Sequence, residues 1–288
     1  MKEGKICMLN VSKNTVITIN STDEERNSIL KNKTVKIIPC TETIDLPISR
    51  NKYTKSLLRA AELGGVFDVK VKIKYFDKLL DISRSTIKES GEKGFDFAPY
   101  EASRDMMTIL PELIENAELI HVEAYRHPSG KREHVLEEFF YICGFEKESN
   151  VYPVEMLVEK HIASEENRIY FIVSMEAIKK ETLPTSGRQY KTEKHRLPGS
   201  CLPYEVNISD VVCTFNREHS FLLKHFPAEM LSENQRRLKY RAIRKDLEIR
   251  GANINAFDNL SDKENIEIVF PPNMGNEEVQ EIRKRLLK

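Results

Sequence analysis

Between Leu119 and Ser174 four runs rich in Val, Ile, Phe and Tyr follow one another: Leu119 to His127, Val135 to Phe145, Tyr152 to Ile162 and Arg168 to Ser174. The connections between them are too short for the crossover that a parallel pair needs, so the runs predict an antiparallel meander. In the first run Ile120, Val122 and Ala124 alternate with His121, Glu123, Tyr125 and His127, the period of two that gives a strand one apolar and one polar face. The fourth run repeats the pattern less cleanly, with Ile169, Phe171 and Val173 against Arg168, Tyr170, Ile172 and Ser174. The patterning predicts a sheet with one face on helices and the other polar and open to water.

Upstream, Leu57, Leu58 and Ala61 share a helical face within 52–63, which Gly64-Gly65 would end, and a strand is expected over Val66 to Tyr75. A short helix is expected over Asp81 to Ser90, with Ser83 or Ser85 near its start, then a mobile stretch from Gly91 to Pro99. Pro111 suits a first helical turn, and Leu110, Leu113, Ile114 and Ala117 then form its core face. Lys5 to Leu9, Thr15 to Ile19 and Val35 to Ile38 read as short strands around polar turns. Thr185 to Leu202 reads as a basic loop, followed by a helix launched at the Ser232-Glu233-Asn234-Gln235 capping box, a strand over Ile266 to Phe270 and a terminal helix. The expected architecture is α+β, helices followed by a four-stranded antiparallel sheet. A small β-rich N-terminal unit (1–76) precedes this central unit (77–184), and a basic, helical C-terminal unit (185–288) follows it.

The 288 residues carry 45 basic and 45 acidic side chains, so no global field draws the chain to nucleic acid or to an anionic membrane. No apolar run approaches the roughly 20 residues of a membrane span, and the opening Met1-Lys2-Glu3-Gly4-Lys5 lacks the apolar stretch of a signal peptide. Five scattered cysteines, Cys7, Cys40, Cys143, Cys201 and Cys213, with no CxxC pair, fit free thiols in the cytoplasm. Walker, GxGxxG, GxSxG and HExxH patterns are lacking, so no cofactor and no metal are expected. Cys143 beside Gly144, on an apolar strand, reads as packing.

Ile82-Ser83-Arg84-Ser85-Thr86-Ile87-Lys88-Glu89-Ser90, Ile109-Leu110-Pro111-Glu112-Leu113-Ile114-Glu115-Asn116-Ala117-Glu118-Leu119-Ile120 and the meander after them are similar to a domain of large polyvalent proteins of phages and conjugative elements. That domain resembles the nuclease-like, toxin-like fold shared by barnase, EndoU, certain colicins and RelE toxins, and the similarity covers about residues 80–182. It implies metal-independent RNA cleavage, in which a base takes the ribose 2′ proton, an acid protonates the leaving oxygen and cations hold the phosphate. Relatives often carry a histidine where this chain has Glu89, so that acid or base is not carried over. Many such domains are not active enzymes. The rival expectation is therefore a non-catalytic module that binds a host protein, for instance as a counter-defence factor.

His121 and Glu123 lie two apart on one strand and so point the same way, and His161, Arg168 and Tyr170 on neighbouring strands could join them, with Glu155, Glu159 and Ser174. These are the acids, bases and cation of phosphodiester transfer, although a solvated sheet face would carry the same residue types. Arg126, Lys131 and Arg132 in the first hairpin turn concentrate positive charge as a phosphate-binding loop does, or as polar turns generally do. Arg237, Arg241 and Arg244, with Lys245 beside them, form a basic stripe at helical spacing, which Asp246 and Glu248 dilute. The expected partner is RNA or a host protein, and no membrane.

The stripe makes a first prediction. If it contacts phosphates, the folded triple variant Arg237→Gln, Arg241→Gln, Arg244→Gln loses about two units from the slope of log affinity against log salt for single-stranded RNA. Titrations at several salt concentrations check this, and an unchanged slope reduces the stripe to a solvated surface.

Overall fold

The structure is a computed structural model that describes residues 21–48, 52–94, 99–125, 135–161, 168–174, 176–183, 202–215, 219–226, 231–232, 253–255 and 267–269, with Gln235, Gly275, Glu277 and Gln280. The first part of the chain forms α1 (Asp23–Asn32), β1 (Thr34–Pro39), α2 (Tyr53–Leu63), β2 (Lys70–Lys72), β3 (Leu79–Asp81), α3 (Arg84–Gly94), α4 (Tyr100–Met106) and α5 (Leu110–Asn116). Then come β4 (Glu118–Ala124), β5 (Val135–Lys147), β6 (Asn150–His161), β7 (Arg168–Val173), β8 (Ile178–Lys179), β9 (Tyr204–Asn207), α6 (Ile208–Val212), β10 (Asn253–Asn255) and β11 (Glu267–Val269).

The meander β4-β5-β6-β7 forms with each neighbouring pair antiparallel. It is not the whole sheet, however, and the expected four-stranded antiparallel sheet gives way to a mixed, seven-stranded one. The reason is strand length: β5 has 13 residues and β6 has 12, too long for their meander partners to cover. On one edge of β5, β4 pairs antiparallel with Glu137 to Ile142, and β1 pairs parallel with Gly144 to Glu146. On the outer edge of β6, β7 covers Val154 to Glu159 and β8 covers Asn150 and Val151. β9 then adds antiparallel to β1. Sheet hydrogen bonds thus cross both expected unit boundaries, at 76/77 and at 184/185.

Residues 23–32, read from sequence as part of a β unit, are helical. Thr22 and Glu25 form a reciprocal capping box, in which Glu25 N–H donates to Thr22 Oγ1 at 3.2 Å and Thr22 N–H to Glu25 Oε2 at 2.8 Å. Three acids in the first turn favour the helix N-terminus further. The stretch 66–75, expected as one strand, instead holds a 3-10 turn and the three-residue β2. α2 ends at Gly64 as expected, α3 continues to Gly94, and Pro111 sits at the start of α5.

On one sheet face Phe139 packs edge-on against Phe76, the Tyr141 hydroxyl donates to Lys74 O at 2.8 Å, and α5 lies on β5. α3 packs along β7, where Ser90 Oγ accepts from the outward Phe171 N–H at 3.1 Å and so closes that sheet edge. α1 and α6 pack together next to β9. Buried Asp105 on α4 holds the loop after β1: it accepts from Ile44 N–H at 3.1 Å, from Arg104 Nε at 2.8 Å and from Lys147 Nζ. Cys143 is fully buried in the sheet, and burial pushes its thiol well up.

Glu148 and Ser149 join β5 to β6, and both have positive φ, 51° and 62°. That is the backbone of a two-residue type I′ turn, which Asn-Gly adopts without the Cβ penalty carried by Glu and Ser. The double variant Glu148→Asn, Ser149→Gly should therefore unfold at higher urea, with a gain of about 1 kcal/mol and an unchanged m-value. An equal or lower midpoint would refute the turn assignment.

Candidate functional site

The register places the predicted polar residues on a single sheet face, because residues directly opposite one another point the same way. One row across the meander is His121, Phe140, Leu157 and Tyr170, and the next is Glu123, Glu138, Glu159 and Arg168. A bulge between Leu119 and His121 sets this phase, so that Leu119 opposes Tyr141 and Val122 opposes Phe139 on the helix-packed face.

That polar face is buried, contrary to the expectation that it would be open to water. His121 is 1% exposed, Glu159 1% and Glu155 0%, and residues 219–226 lie against two of them, with Ser220 and Phe221 on Glu155 and His225 on His121. Burial of polar groups is tolerated where each finds a partner, and the covering segment supplies many. The Ser220 hydroxyl donates to Glu155 Oε1 at 2.5 Å, and Phe221 N–H donates to Glu155 Oε2 at 2.7 Å. Ser174 Oγ donates to Thr214 O at 3.0 Å, and Lys224 Nζ to Glu123 Oε1 at 3.3 Å.

Two polar centres emerge, with Phe140 and Leu157 between them in the upper row. The first joins His121 and Glu123 on β4 to Lys224 and His225 of a 3-10 turn. His121 Nε2 is 3.4 Å from Glu123 Oε2, and the two imidazole centroids are 3.8 Å apart. The hydrogen bond from His121 holds the Glu123 carboxyl down at about 2, with Lys224 and His225 assisting. Burial pulls the His225 imidazole down to about 3, and His121 beside it acts the same way. At neutral pH this centre therefore holds an ionised carboxylate beside a neutral His225.

The second centre gathers Glu159 and His161 on β6 with Arg168 and Tyr170 on β7. His161 Nε2 is 3.3 Å from Glu159 Oε2, and the Tyr170 hydroxyl donates to the same oxygen at 3.4 Å. Burial pushes Tyr170 up to about 12, against the hydrogen bond from Arg168. The Arg168 side chain, 55% exposed, reaches Glu89 at 3.8 Å, and Lys93 Nζ stands 3.7 Å over the Tyr170 ring. Glu89 thus borders this centre through Arg168.

Of the residues named from sequence, His121 and Glu123 fall in one centre and His161, Arg168 and Tyr170 in the other. Arg126, Lys131, Arg132, Arg237, Arg241, Arg244 and Lys245 lie outside the described residues. Sequence reading missed Lys93, Lys224 and His225. Only one local signal marked the last two, a polar Lys-His pair set inside the apolar run Phe221-Leu222-Leu223 and Phe226.

Burial pushes the Glu155 carboxyl up to about 7, although Ser220 and Phe221 favour the charged form. The folded state then holds a proton that the unfolded chain releases near pH 4.5. This contribution is complete below that pH and is lost as pH rises toward 7, of order 3 kcal/mol. Urea unfolding at pH 5 and pH 7.5 should show the decline in the native chain and its absence in Glu155→Gln; equal pH dependence in both would refute it. Comparison with protein-family models, with curated proteins and with solved structures finds no match to this chain.

Proposed function

We propose that this chain acts on RNA, cleaving a phosphodiester by metal-independent acid–base chemistry at the Glu159, His161, Tyr170 and Arg168 centre, as a nuclease-like protein of a phage or conjugative element. One observation carries the reading. A histidine, a carboxylate, a tyrosine and an exposed guanidinium meet within hydrogen-bond reach at the end of two adjacent strands. In this reading His161 takes the ribose 2′ proton, and Glu159 stabilises the imidazolium that forms. Tyr170, held protonated, donates to the leaving oxygen, and Arg168 and Lys93 stabilise the charge on phosphorus-bound oxygens. The resemblance of residues 80–182 to nuclease-like domains supports the same chemistry.

A second observation favours the rival class. His161 is 8% exposed and Glu159 1%, so little of either is open to a substrate, which suits a non-catalytic module that binds a host protein.

Incubation with a mixed-sequence RNA oligonucleotide separates the two readings. Cleavage should yield 2′,3′-cyclic phosphate ends and persist in chelator. It should fall about 10²- to 10⁴-fold in His161→Ala and about 10²-fold in Arg168→Gln. RNA left intact by the native chain, or cut equally fast by both variants, overturns the catalytic reading and leaves the interaction module.

A further inference from the structure

We infer that His121, Glu123 and His225 form a binding site for a divalent transition-metal cation of the zinc class, which pins the covering segment to the sheet. One ligand atom from each residue lies within 4.8 Å of the other two. A four-coordinate ion with bonds of about 2.0–2.1 Å sets its ligand atoms about 3.3–3.4 Å apart. His121 Nε2 and Glu123 Oε2 are 3.4 Å apart, and His225 Nε2 is 3.9 Å from Glu123 Oε1, so small side-chain rotations close the set.

An independent observation points to a ligand. His225 Nε2 is buried and makes no hydrogen bond, which leaves a desolvated polar atom at the centre of the group. Such an atom is costly to bury, and a coordinate bond would satisfy it. Two imidazoles and one carboxylate suit zinc-class ions rather than calcium or magnesium, which take oxygen ligands in higher number. The fourth position is left for water.

Lys224 opposes the cation, since its Nζ holds Glu123 Oε1 at 3.3 Å, but its side chain is 58% exposed and can turn into solvent. Arg26 donates to the His225 carbonyl at 3.2 Å. Because Lys224 and Glu123 are 101 positions apart, no local spacing in the sequence discloses the set. The site shares no residue with the centre proposed to act on RNA and stands whether or not that centre is active.

Titration of the full chain with Co²⁺ tests the inference through the intense visible absorption of the four-coordinate ion. The native chain should bind a single equivalent, displaced by Zn²⁺, and Zn²⁺ should raise its Tm. His225→Gln should lose the absorption while its metal-free circular dichroism stays native, and His219→Ala should keep it. Lys224→Ala should bind Co²⁺ about threefold to tenfold more tightly, because a competing surface charge is removed. No absorption in the native chain, or undiminished absorption in His225→Gln, overturns the site. Should His225→Gln fail to fold, Lys224→Ala decides, since it trims only an exposed side chain; an affinity equal to the native one overturns the site.

Discussion

A single edge of β5 serves two partners that run in opposite directions, and the arrangement of the rest of the sheet follows from this. β4 descends from the middle of that edge and β1 ascends from it, so their first residues meet where neither completes the ladder. Lys33, just before β1, closes this junction: its Nζ donates to Leu119 O and pairs with Glu118 at 3.3 Å, while its own carbonyl accepts from Ile208 N–H at 3.0 Å. Burial pulls the Lys33 ammonium down and the Glu118 carboxylate opposes that shift, which is the balance expected of a cation fixed at a gap in a sheet. The contact with Ile208 also sets where α6 begins. The segment that covers the polar face therefore starts from the same junction that brings β1 into the sheet.

Covering a polar sheet face with one's own chain requires each buried group to be matched, and the two sides of the cover do this differently. Near α6 the matching is complete and local to the fold: Glu155 receives a hydroxyl and a backbone N–H, and Ser174 reaches Thr214. Near His225 it is incomplete, with one imidazole nitrogen unmatched. Such an imperfection is expensive in a low-dielectric setting. Among the described residues it is one of several unmatched buried polar atoms, with Arg26 Nε and Ser103 Oγ, whereas Glu155 is explained by docking alone.

The meander was legible because its strands are consecutive, and from His121 onward the period-two alternation set which side chains share a face, although the bulge at Ile120 carries Leu119 to the helix-packed side. What the alternation could not give was what lies over that face. Polar residues at alternate positions look the same whether water or a hydrogen-bonding segment covers them, and here the cover comes from residues about 35 to 53 positions beyond β7. The parallel pairing of β1 with β5 was equally hidden, since nothing local in Thr34 to Pro39 names a partner a hundred residues away. α1, by contrast, was readable: Thr22-Asp23-Glu24-Glu25 is a capping box in the sequence, and the β-rich reading of its surroundings overrode it.

The division of the polar face into two centres follows from the same register. Phe140 and Leu157 stand between His121 and Tyr170 in one row, so the first histidine cannot reach the tyrosine across two apolar side chains and three strand spacings of about 4.8 Å each. In the adjacent row Glu123, Glu138 and Glu159 stand on consecutive strands, and like charges directly opposite repel. The sheet meets that repulsion by placing a basic partner at either end, Lys224 beside Glu123 and Arg168 in register with Glu159. Those two cations are also among the most exposed groups of their centres. The row of carboxylates thus ends in a half-exposed basic group on either side. At the β4 end a metal cation could enter only after Lys224 has turned away.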